Sequence, residues 1–269
     1  MALTTEKSLL QRTFPDLLAF GIGLGMAYYL KWDTTDLVWS LWLCSLVVGY
    51  LTILSAVGGG AYFGLYAIRH KDFKPSHRVP TILAGAAGGL FFLGFFSLHF
   101  GGFHAGHSVF LQMFFPVEGM PFDGFGRAFM NPPLLWVLVF RHLMNPYGLF
   151  LLPAIIAERK HVFRPLISAI RSVHRSETAD DTVDQVVDGE GSEHRNPVGE
   201  AMGRPYINVM RMHLLIFFFA FCHLLKVDSF LVYVVVYAVY FFPWRELKRL
   251  KPKAATKPAQ PLASELDSA

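Results

Sequence analysis

Residues 91–115, FFLGFFSLHFGGFHAGHSVFLQMFF, decide how this chain is read. They run for 25 residues without an Asp, Glu, Lys or Arg. Roughly 20 apolar residues in a helix cover the hydrocarbon core of a bilayer, and lipid offers nothing to pair with open backbone groups. The stretch does not alternate with period two as a barrel strand would, so it is read as a membrane helix.

Working outward, apolar runs of the same kind occupy residues 15–30, 37–57, 133–157, 206–225 and 229–243, which predicts an all-α polytopic transmembrane bundle of six spans. Composition agrees: 53% of residues are hydrophobic and only 16% charged. The first run is not read as a cleaved signal peptide, because no small-residue cleavage site follows it and the next run starts at Leu37. Cys44 and Cys222 both fall inside apolar runs and read as small buried hydrophobes, not as disulfide partners. Gly58, Gly59 and Gly60 loosen the second helix, whose apolar continuation reaches Ile68 as a kink or a helix tail.

Residues 79–90, with Gly85, Gly88 and Gly89, pose a choice, since counting them as a span inverts every later loop. Charge decides against it. With six spans, 19 of the 24 Lys and Arg residues fall on one side, leaving Lys31, Arg127 and Lys226 on the other, with Arg141 and Arg211 inside spans. The positive-inside rule then places both termini in the cytoplasm and makes 79–90 a re-entrant or interfacial piece.

The expected organisation is residues 1–175 as helices one to four plus a cytoplasmic segment, 176–200 as an insertion, 201–243 as the last two spans and 244–269 as a basic tail. In residues 159–175, five basic residues flank Phe163, Leu166, Ile167 and Ile170 at helical spacing, which suits an amphipathic helix on anionic lipid or an ordinary surface helix. Residues 176–200 are acidic and nearly free of aromatics, and read as disordered.

Ionisable groups inside a span are functional candidates by default, because burying them in lipid is costly. Here nearly all are histidines: His99, His104 and His107 in the third span, Arg141 and His142 in the fourth, and Arg211, His213 and His223 in the fifth. No Asp or Glu lies well inside a span. From a helical rise of about 1.5 Å per residue, His99 and His213 share one level, and His107, His142 and His223 a second. Three imidazoles from three helices suit zinc or copper, and one haem held between His99 and His213 is a further option. Two stacked haems do not fit, since residues 99 to 107 turn through about 80°. Alternatively, each histidine satisfies itself with a backbone carbonyl or polar neighbour and locks helix packing. Gly101, Gly102 and Gly106 allow another helix to approach the third span closely.

Other chemistries find less support. The cytoplasmic loops lack the paired-histidine boxes of lipid desaturases, the missing intramembrane carboxylates exclude a di-iron carboxylate site, and Ser108 beside His107 is on a different helix face. No strand precedes the glycines, so they do not read as a phosphate loop.

Several strings resemble a family of bacterial multi-pass membrane proteins, domain of unknown function 6498: Lys31-Trp32-Asp33, residues 42–49, His99-Phe-Gly-Gly-Phe with His107, and Pro205-Tyr206 followed by His213. The sequence departs from it where Leu43-Cys44 replaces an acidic and amide pair after Trp42. The resemblance implies the membrane architecture and points to His99, His107 and His213, but names no substrate. Three functions remain open: a bacterial inner-membrane protein with a metal or haem site, a structural or assembly subunit of a larger membrane complex, and a transporter or proton relay. The partners implied are the lipid bilayer and another membrane protein, with no nucleic acid.

Overall fold

In a computed structural model of the chain, the described residues are 2–70 and 73–180, together with 210, 214, 217–219, 221–222, 224–225, 234–236 and 238–239. All regular structure among them is helical. Helix α1 covers Ala2–Tyr29, α2 Thr34–Arg69 and α3 Pro75–Phe114. A 3-10 turn at Gly126–Ala128 leads to α4 (Pro132–His142), followed by a single turn α5 (Met144–Tyr147), a 3-10 turn at Gly148–Phe150, α6 (Leu151–Val162) and α7 (Arg164–Asp180).

The start of α2 follows from the string Lys31-Trp32-Asp33. Lys31 takes a left-handed backbone (φ 55°) and turns the chain. Asp33 then caps the helix, accepting from the Asp36 amide at 3.1 Å while the Asp36 carboxylate accepts from the Asp33 amide at 3.0 Å. This reciprocal pair satisfies two helix-end donors that otherwise lack partners. Trp32 is buried with its ring against Tyr147 and Phe150, and the Tyr147 hydroxyl donates to Asp36 at 3.0 Å, fixing the start of α2 against the turns after α4.

Helices α2 and α3 form an antiparallel hairpin, in register from Trp39 beside Phe115, through Trp42 beside His104 and Gly49 beside Phe100, to Val57 beside Gly89. The Phe100 ring lies where a side chain at Gly49 would begin, so only glycine permits this approach. Helix α4 closes on the hairpin with Trp136 against Tyr50 (ring centroids 5.0 Å), and α6 and α7 flank α2. Phe219, fully buried with its ring 6.2 Å from Phe115, and Val236 belong to the same core.

Among the described residues two helices, α2 and α3, are long and apolar enough to cross a membrane, or three spans result if the bent pair Pro132–His142 and Met144–Val162 counts as one; the expected spans at 206–225 and 229–243 lie mostly outside the described residues. Three expectations change. The proposed straight span at 133–157 is bent by 63° at Leu143. Pro146 explains the break, since it offers no N–H to the His142 carbonyl and its ring clashes there. Residues 79–90 are not a separate re-entrant piece, because α3 runs unbroken from Pro75 to Phe114. Glycine weakens a helix in water by about 1 kcal/mol but is common in membrane helices, so Gly85, Gly88 and Gly89 do not stop it. The continuation of α2 past Gly60 is, of the two alternatives expected, the helix tail, ending at Arg69. Helix α7 also extends to Asp180, into the stretch read as disordered; residues 181–200 lie outside the described residues.

Candidate functional site

The polar groups of the hairpin gather in one buried seam between α2 and the C-terminal half of α3. Trp42, Ser45 and Gly49 recur at helical spacing and present one face of α2 to α3. Opposite them His104 is fully buried. Its Nδ1 lies 3.0 Å from the Phe100 carbonyl, and its Nε2 3.2 Å from Ser45 Oγ. A carbonyl only accepts, so Nδ1 carries the proton and donates, and Nε2 accepts from the Ser45 hydroxyl. The Trp42 indole donates to the His104 carbonyl at 3.1 Å, and the two rings meet edge to face with centroids 5.5 Å apart. Both imidazole nitrogens are therefore committed to the protein.

The seam continues towards the end of α3. Ser108 donates to the Ala105 carbonyl at 2.6 Å and accepts from the Phe125 amide at 2.8 Å. Gly124 (φ 55°) brings the following loop so close that a side chain there would meet the Ser108 carbonyl at 2.6 Å. Gln112 clasps Val117, accepting from its amide at 3.1 Å, and the Trp39 indole donates to the Phe115 carbonyl at 2.7 Å. Ser108 thus organises a loop.

The remaining candidates are dispersed. His99 is exposed on the outer face of α3, stacked on Phe95 (5.5 Å) and edge-on to Phe103 (5.0 Å). His107 is buried beside His104, with ring centroids 6.3 Å apart. His142 is half-buried at the end of α4 near Phe125 (6.4 Å), and Arg141 beside it is exposed. Arg211, His213 and His223 lie outside the described residues. Among the described residues no three His, Cys, Asp or Glu side chains come together as metal ligands. The expected layer of His107, His142 and His223 and the expected pair of His99 and His213 each include a residue outside the described ones; within α3, residues five apart point about 140° from one another, which sends His99 and His104 to different sides. The glycines face protein: a side chain at Gly101 would meet the Tyr50 hydroxyl at 3.3 Å and Leu135 at 3.4 Å, and one at Gly102 the Phe129 carbonyl at 3.0 Å. Gly106 lies against the Phe129 ring, which would be 3.8 Å from a Cβ.

Residues 22–242 match a family model described as a family of unknown function, DUF6498. The chain belongs to that family. No curated protein and no solved structure matches it. Two of the strings that carried the resemblance to DUF6498 have physical roles: Lys31-Trp32-Asp33 turns, plugs and caps, while residues 42–49 supply the indole, hydroxyl and glycine that receive α3; Pro205-Tyr206 and His213 lie outside the described residues. At the DUF6498 departure, Leu43 and Cys44 are both buried and apolar, and the polar contact to α3 is made by Ser45 one residue later.

Sequence reasoning missed three contacts. Ser45 and Trp42 hold His104 across 59 and 62 residues of chain. Asp16, at the edge of the first apolar run, is buried and pairs with Arg159 and with Lys160, the latter at 2.9 Å, joining α1 to α6. Asp36 and Tyr147 are joined across 111 residues. A carboxylate beside an apolar run, with two adjacent cations elsewhere, was the available signal for the second.

Proposed function

We propose that this DUF6498 chain is an integral protein of the bacterial inner membrane, with both termini cytoplasmic, that serves as a structural or assembly subunit of a larger membrane complex. The observation that carries the reading is the N-terminal half of α3, which is exposed nearly all round. Ile82, Leu83, Leu90, Phe91, Phe95 and Leu98 are exposed along it, and open space lies where side chains at Gly85 and Gly88 would stand. So large an apolar surface on one helix needs a covering other than water. Small residues with free space beside them let a second helix close in.

His104 serves this reading as a helix lock. A ring whose two nitrogens are held by Phe100 and Ser45 has no lone pair for a metal, and its fixed tautomer does not suit a proton relay.

A photo-cross-linking residue placed at Leu83 in native membranes tests the proposal. An adduct with a second polypeptide is expected; adducts confined to lipid or to the same chain would remove the assembly role. Release of the chain from membranes by alkaline carbonate would remove the membrane reading itself.

A further inference from the structure

Two belts of charge set the membrane levels on this bundle. Lys31, Asp33 and Asp36 stand where α1 turns into α2, and Asp16 meets Arg159 and Lys160 near the opposite side, where α1 packs on α6. About 15 residues separate Asp16 from Lys31, a helical rise of about 22 Å. A hydrocarbon core of about 30 Å laid from Leu37 along α2 ends near Val57, about 20 residues on. Both helices of the hairpin continue past that level. Helix α2 runs to Arg69, and α3, which has Gly89 beside Val57, begins back at Pro75. About 12 residues of each helix, an arm about 18 Å long, therefore extend beyond the core.

Helix α7 gives the same level independently. The Leu166 amide donates to Ser55 Oγ at 3.3 Å, and a side chain at Gly59 would meet the Pro165 carbonyl at 2.9 Å, so α7 starts on α2 at the edge of the core. It packs mainly on α2 and little on α6, so it does not fold back over α6 but runs on towards Arg69, with Val173 and Ile68 both buried. Its outer side exposes Ser168, Arg171, Ser172 and Ser176. Lipid offers such groups no hydration, which puts α7 at headgroup level or in water. The arm beside it lies at that level too.

The surface of the arm is nevertheless apolar. Tyr62, Phe63 and Leu65 of α2 and Val79, Ile82 and Leu83 of α3 are exposed, and so is every residue from Lys74 to Gly88. An apolar patch standing outside the core calls for a protein cover. Two features give the chemistry of that cover. Open space lies where side chains at Gly60 and Gly64, one turn apart, and at Gly85 and Gly88 would stand, so a helix can approach either backbone closely. The end of the arm is basic: residues 69–78 hold Arg69, Lys71, Lys74 and Arg78 against Asp72, and no other Asp or Glu occurs from Leu37 through Phe115. A second copy inserted in the same direction would bring two basic ends together, whereas carboxylates at the end of an incoming helix complement them.

We propose that the arm formed by α2 and α3 stands on the cytoplasmic side of the hydrocarbon core and docks an apolar helix with an acidic end, contributed by another polypeptide. The inference rests on the assembly reading above and adds a level and a partner chemistry to it.

The test has two parts. In the first, the full chain is purified and placed in nanodiscs of phosphatidylcholine and phosphatidylglycerol, with Leu83→Cys or Leu98→Cys. A charged, membrane-impermeant maleimide is expected to label Leu83→Cys and spare Leu98→Cys, since Cys44 and Cys222 are buried in both. Any other pattern would overturn the level and leave the assembly reading intact. In the second, the adduct formed in native membranes by a photo-cross-linking residue at Leu83 is identified by peptide sequencing, with and without R69E/R78E. A different polypeptide joined through an apolar helix ending in Asp or Glu is expected, its yield falling roughly tenfold on charge reversal. Both arginines are exposed, so the variant should keep its melting temperature. Undiminished yield in R69E/R78E, or an adduct with a second copy of this chain, would overturn the partner chemistry. Adducts confined to lipid or to the same chain would overturn this inference and the assembly reading together.

Discussion

Helices α2 and α3 are nearly equal in apolar character, yet the most apolar window of α2 is 78% buried inside the protein and that of α3 only 6%. Hydropathy does not separate them; the kind of side chain does. Helix α2 carries Trp39, Trp42, Ser45, Thr52 and Ser55, whose polar atoms all meet partners, on α2 itself, on α3, on α7 or in the loop after α3. From Ile82 to Phe95, α3 offers only aliphatic side chains, aromatics and glycine. Its C-terminal half, from Phe96, returns to the pattern of α2, with His104, Ser108 and Gln112 buried. An apolar run thus holds two kinds of surface, one that specifies a neighbour by hydrogen bonds and one that demands only an apolar environment.

Substitutions on the two surfaces should differ sharply. The largest loss is expected from Gly49→Val, which places a branched side chain where the Phe100 ring lies; overpacking and hairpin displacement should cost about 3 kcal/mol or more, visible as a large fall in melting temperature in detergent. His104→Leu comes next, at about 2 kcal/mol, since the Ser45 hydroxyl loses its acceptor and the ring its packing. Asp16→Asn should cost about 1 kcal/mol, the attraction being screened because Arg159 and Lys160 are 30% and 42% exposed. At the other end, Leu83→Ala on the outer face of α3 should change stability by no more than about 0.5 kcal/mol while weakening capture of a membrane partner. A cost at Leu83 as large as at His104 would erase the distinction between the two surfaces.

Much of this was legible in the sequence, and the exceptions share a cause. The cap at Asp33 and the long apolar runs of α2 and α3 depend on residues near in sequence. The bend at Leu143 was also legible, because Pro146 and Gly148 stand inside the run, but the apolar count concealed it. Residues 79–90 misled in the opposite direction, since the loop-charge count set them aside as a separate piece although they continue one helix from Pro75 to Phe114. The three histidines within nine residues divide on the helix surface: His104 and His107 lie together in the seam and His99 faces outward. No local rule reveals that Ser45 meets His104, because that contact is set by the register of two helices packed through Gly49 and Phe100.

A double-mutant cycle between Ser45 and His104 is the most direct test of the central claim that this histidine is a lock between α2 and α3. Unfolding of the wild type, Ser45→Ala, His104→Leu and the double variant would be followed in detergent with and without a chelator. The account predicts a coupling of about 1 kcal/mol that the chelator leaves unchanged. Absence of coupling, together with a stability that falls on chelation in the wild type but not in His104→Leu, would contradict it and return His104 to the role of a metal ligand.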